Sequence, residues 1–111
     1  MDRAGRKQAA SAYRERKVTA GVYALRCGPT GQVWVGRAPD IATIENRVRF
    51  QLRQGASSFP ALQQAWNAHG ADAFTFEVLE ELDGEELGLS LQRELKNRHA
   101  AWVEKLAAQA I

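Results

Sequence analysis

Residues 21–36 of this 111-residue chain, GVYALRCGPTGQVWVG, constrain its fold most. Two apolar runs, Gly21-Val22-Tyr23-Ala24-Leu25 and Val33-Trp34-Val35, carry β-branched and aromatic residues, as strands do. Between them, Gly28-Pro29-Thr30-Gly31 supplies turn chemistry. Proline presets φ at one position and glycine permits positive φ at another. Two strands about such a turn predict a β-hairpin. Each run ends outward on a glycine, Gly21 and Gly36, which in a strand marks a bend or a close approach of other groups.

The rest of the chain reads as helices and one more strand. Asp40 is placed to cap a helix to about Gln54, with a stripe of Ile41, Ile44, Val48 and Leu52. Glu45, Arg49 and Arg53 share its other side. Ser57 or Ser58 is expected to cap a second helix from Pro60 to Gly70, with Leu62, Ala65, Trp66 and His69 on one face. Phe74, Phe76, Val78 and Glu80 alternate with Thr75, Glu77 and Leu79, which predicts a strand. After Asp83-Gly84 a last helix is expected from about Glu85 to Ala108, burying Leu87, Leu91, Leu95, Trp102 and Leu106. Residues 2–17, rich in Ala, Arg, Lys and Gln, predict a basic N-terminal helix. The expected fold class is therefore α+β: a small three-stranded antiparallel sheet flanked by helices, with residues 1–19 as a basic arm and 20–111 as the domain.

The hairpin and the segments after it resemble the GIY-YIG nuclease superfamily. Gly21-Val22-Tyr23 stands at the first triplet and Trp34-Val35-Gly36 at the second. The family's later segment is matched by Leu62-Gln63, Trp66-Asn67, Gly70, Phe74, Phe76 and Val78-Leu79-Glu80. Trp102 and Leu106 match its last helix. In that family, the resemblance implies, the two triplet tyrosines help position or activate a water. An arginine on the first helix binds the phosphate, and a glutamate on the last helix holds a divalent metal, all on one concave face. Here Tyr23 matches, Trp34 replaces the second tyrosine, Ile44 stands at the arginine position and Val48 at a frequent histidine. His99 stands at the metal-binding glutamate, beside Arg98.

Only one of these four catalytic positions carries the family's residue, so family-type catalysis is expected to be lost. A rearranged site would use Tyr23, Trp34, Arg47 and His99, with Glu94 upstream, and would need Mg2+ or Mn2+; otherwise no cofactor is expected. The replacements at Ile44 and Val48 extend an apolar stripe, read as core or alternatively as a groove for a protein or small ligand.

Charge is unevenly spread. Before Gly21 six cationic side chains face two carboxylates, leaving that segment at +4 and the remainder at −2, for a net +2. Such asymmetry suggests a polyanion. Arg26, Arg37, Arg47, Arg49 and Arg53 are the candidate phosphate contacts, with DNA preferred to RNA and low specificity. The competing expectations are a degenerate nucleic-acid binder, an active metal-dependent endonuclease with a rearranged site, and a protein-interaction module. The lone Cys27, the lack of a signal-peptide core and the lack of a membrane-length apolar run lead to the expectation of a cytoplasmic protein without membrane contact.

Overall fold

The computed structural model describes residues 18–111. The basic segment read as an N-terminal helix lies outside the described residues. The chain first forms the expected hairpin, β1 (Ala20–Cys27) and β2 (Val33–Ala38). Gly31 sits in its turn at a φ of 74°, and its N–H donates to Cys27 O at 2.8 Å. Helix α1 (Ile41–Arg53) and helix α2 (Pro60–His69) follow, then β3 (Phe74–Leu82). The chain closes with a four-residue helix α3 (Gly84–Leu87), helix α4 (Leu91–Leu106) and a short strand β4 (Gln109–Ala110).

The sheet order is β3-β1-β2-β4. β1 pairs antiparallel with both β2 and β3, which are the three strands expected. β4 is an addition, and it runs parallel to β2. Its origin is the end of α4. Ala107 adopts the left-handed conformation, φ 51° and ψ 44°, and turns the chain back along the sheet. The Ala108 N–H then closes the helix onto Val103 O at 2.9 Å.

Local chemistry explains most boundaries. Asp40 caps α1 by accepting the Ala42 N–H at 3.1 Å. Serine does not cap α2. Ser57 Oγ instead accepts the Phe59 N–H at 3.2 Å, and Pro60 opens the helix without a side-chain cap. The last helix is not continuous from Glu85, because Gly88 takes a φ of 53° and breaks it before α4 begins.

Helices α1 and α2 cover one face of the sheet. There Leu25, Trp34, Leu52, Leu62, Trp66 and Phe74 form the larger core, and Tyr23, Ala38, Ile41 and Ile44 continue it. Helix α4 covers the other face through Leu95, against Val22, Ala24, Val35 and Leu82. The alternation predicted for β3 holds as far as Val78. A bulge opposite the step from Val22 to Tyr23 then takes up one extra residue. As a result Leu79 and Glu80 both turn toward α4, rather than Glu80 continuing the Phe74–Val78 face.

Candidate functional site

Tyr23, at the centre of β1, is 4% exposed and stacks on Phe76 with ring centroids 5.2 Å apart. Its cross-strand partner is Gly36. A Cβ at Gly36 would lie 2.4 Å from both Cζ and the hydroxyl oxygen of Tyr23. The glycine is therefore required for the ring to lie flat across β2. Burial pushes the Tyr23 phenol above its ordinary value, because the phenolate would lose its water. That direction keeps it protonated and opposes a role as a base at neutral pH.

Beside Tyr23, α1 presents Ile41 and Ile44, with Val48 one turn on. Ile44 is 9% exposed. Trp34, 1% exposed, points into the core against Phe74, with centroids 6.0 Å apart. A further neighbour is Ile111, which comes after β4 and packs against the same cluster. Sequence reasoning gave no hint of it, since a single terminal isoleucine has no periodicity to read.

His99 arrives from α4, on the other side of the sheet. It is 8% exposed and reaches the outer edge of β2. Val35 O lies 2.9 Å from His99 Nε2 and also accepts the Ile111 N–H at 2.9 Å. A carbonyl can only accept, so Nε2 carries the ring hydrogen and Nδ1 is the acceptor. Nδ1 faces Arg37 Nη1 at 3.4 Å. Both ring nitrogens are thus engaged, one with a backbone oxygen and one with a cation. This arrangement does not suit a divalent metal, which needs free lone pairs and neighbouring anionic oxygens. Among the described residues no cluster of three or more His, Cys, Asp or Glu is placed to hold a metal.

Glu94, upstream on the same helix, is engaged elsewhere. It pairs with Arg98 at 3.4 Å, and Arg98 also pairs with Glu80. Glu80 accepts the Trp102 Nε1–H at 2.8 Å. Its hydrogen bond and charge push the Arg98 guanidinium up. The bulge in β3 is what delivers Glu80 to this network. The other candidate cations are dispersed. Arg26 is paired with Glu77, while Arg49 pairs with Glu45 at 3.0 Å and donates to Phe74 O at 3.3 Å. Arg47 and Arg53 are exposed on α1 and have no acidic partner among the described residues. A groove of about 450 Å3 lies between α1 and β3, over Ile41, Phe76 and Val78. Glu45 and Glu81 line it, so it repels phosphate.

The overall fold is shared with a known catalytic domain. The catalytic domain of the homing endonuclease I-TevI is 26% identical, over 83% of this chain and 97% of that one, with a TM-score of 0.70. A point mutant of the catalytic domain of the intron endonuclease I-TevI is 27% identical, over 81% and 86%, with a TM-score of 0.69. The fold is GIY-YIG-like. No protein-family model matches the sequence. No curated protein matches it either. The GIY-YIG-like domain is thus endonuclease-like in architecture. No helix among its described residues is long and apolar enough to cross a membrane.

Proposed function

We propose that this GIY-YIG-like domain binds nucleic acid through phosphate contacts and has lost the phosphodiester hydrolysis of its scaffold. The observation that carries this is His99. At the position where the family places a metal-binding glutamate stands a buried imidazole already bonded to Val35 O and Arg37. Ile44, at the arginine position, adds no charge to offset the phosphate in the transition state. Losing one such stabilising group typically costs about 100- to 1,000-fold in rate, and here two are replaced. The phosphate contacts are assigned to the exposed guanidinium groups, Arg47 and Arg53 first, with Arg26 available by exchange of its surface pair with Glu77; Arg37, bonded to His99, and Arg49, bonded to Glu45 and Phe74 O, are secondary candidates. DNA is the preferred polymer in this reading.

The test is a gel with labelled single-stranded, duplex and branched DNA and RNA, in magnesium, manganese or EDTA, beside Tyr23→Phe. The expected result is no cleavage and a band shift that weakens steeply with salt. Metal-dependent cleavage lost in Tyr23→Phe overturns the loss of catalysis. Absence of both cleavage and shift overturns nucleic-acid binding.

A further inference from the structure

The solvent face of α1 has a composition that core packing does not explain. At 100° per residue, Thr43, Asn46, Arg47, Phe50, Arg53 and Gln54 fall on one side of this helix. All six are exposed. The face carries two guanidinium groups, three uncharged polar side chains and one aromatic ring, and no carboxylate. Glu45, the helix's acid, lies on the opposite flank and is bonded to Arg49.

Phe50 is 57% exposed. It sits two residues before Leu52, so it is out of phase with the buried stripe of Ile41, Ile44 and Leu52. Arg47 and Arg53 stand one turn to either side of it, at i−3 and i+3, about 4.5 Å away along the axis. Neither has an ion-pair partner among the described residues. A single exposed phenylalanine is ordinary by itself. An exposed ring with a cation one turn to either side, on a helix face that carries no acid, presents a π-face where a base can stack and charges where the flanking phosphates can lie.

The geometry points to the Arg47–Phe50–Arg53 face of α1 as a binding surface for an unpaired nucleic-acid strand, with Phe50 stacking on a base. The inference rests on the proposed nucleic-acid function and deepens it by naming the strand state. A duplex keeps its bases stacked inside the helix and offers Phe50 nothing, so the aromatic contact selects single strands. The two arginines serve both forms, because each form presents phosphates.

The experiment measures fluorescence anisotropy of the full chain with a labelled thymidine oligonucleotide of about 12 nucleotides, within the range of one small domain. A uridine counterpart and a duplex are titrated beside it. The variants are Phe50→Ala, Phe50→Trp and the pair Arg47→Gln with Arg53→Gln. Phe50→Ala is expected to weaken single-strand binding about 5- to 140-fold and to leave duplex binding unchanged. Phe50→Trp retains the single-strand affinity. The double arginine variant weakens both forms and lowers the single-strand salt slope by about 1.4. Phe50 is exposed, so all variants are expected to melt with the parent.

Three results overturn the inference. If Phe50→Ala binds the single strand as the parent does, Phe50 does not stack, and phosphate binding by the domain still stands. If Phe50→Ala weakens duplex and single strand alike, the ring is not selecting unpaired bases. If no oligonucleotide binds at all, the nucleic-acid function itself fails, and this face belongs to a protein partner or to none.

Discussion

The contact between Tyr23 and Gly36 gives a sharp stability prediction. In Gly36→Ala the new Cβ meets Tyr23 Cζ and the hydroxyl oxygen at 2.4 Å and Cε1 at 2.8 Å. Carbon atoms pack at about 3.5–4.0 Å, so the ring must withdraw by more than about 1 Å. It has no room, because it is stacked on Phe76 and enclosed by Ala38, Ile41 and Ile44. Overpacking of this kind costs about 1–3 kcal/mol, and the upper end applies where both the backbone and the ring are buried. A domain of this size then loses on the order of 8–20 °C in Tm. The assay is urea unfolding followed by circular dichroism on four proteins: parent, Gly36→Ala, Tyr23→Leu and the double variant. Leucine lacks every ring atom that clashes. The cost of Gly36→Ala should therefore shrink by about 1–3 kcal/mol in the Tyr23→Leu background. If Gly36→Ala stays within about 0.5 kcal/mol of the parent, or if the two changes simply add, the close packing of ring on glycine is refuted.

Other perturbations have equally definite outcomes. Tyr23→Phe should match the parent's stability up to about pH 10, the ordinary phenol value. The fold raises the Tyr23 pKa, so the protonated ring's contribution is intact below that pH and is lost as pH rises through the higher folded value; melting curves from pH 8 to 11.5 should show only the parent losing this increment. Ala107→Gly, at a left-handed φ of 51°, should stabilise the domain by about 0.5–1 kcal/mol, the reverse of the usual effect inside a helix, and a drop in Tm would count against that turn. Leu52→Ala, at a site 1% exposed, should cost about 2–5 kcal/mol in denaturant unfolding. Mg2+ or Mn2+ at about 10 mM should leave Tm unmoved. A site with a Kd near 0.1 mM would add about 2.7 kcal/mol, and a Mn2+-dependent rise abolished in His99→Ala would reveal a metal centre at β2.

The features readable from sequence are those set by neighbours in the chain. The hairpin followed from Gly28-Pro29-Thr30-Gly31 between two apolar runs, and α1 from Asp40 and a stripe of one period. The stripe did become core, with Ile41, Ile44 and Leu52 buried. The features that escaped were decided by distant contacts. The bulge that sends Glu80 to Trp102 depends on the register of β1 against β3. The break at Gly88 depends on a positive φ that α-helix formers on either side conceal. For the candidate site, the family resemblance located His99 and Ile44 but not their surroundings. That His99 would bond to Val35 O follows from β2's outer edge facing α4, a tertiary fact. Phe50 was legible only as a phenylalanine out of phase with its helix.

The bulge in β3 has a second consequence. β4, only two residues long, forms one edge of the sheet beside β2, and among the described residues β3 is the long edge strand. A strand left open in this way can recruit another chain through its unsatisfied N–H and C=O groups. On β3 this margin is interrupted by the extra residue near Leu79 and carries Glu77, Glu80 and Glu81. Two such margins brought together would not share an even ladder. The same irregularity that turns Glu80 inward to Trp102 thus breaks the regular ladder that edge-to-edge pairing along β3 would need.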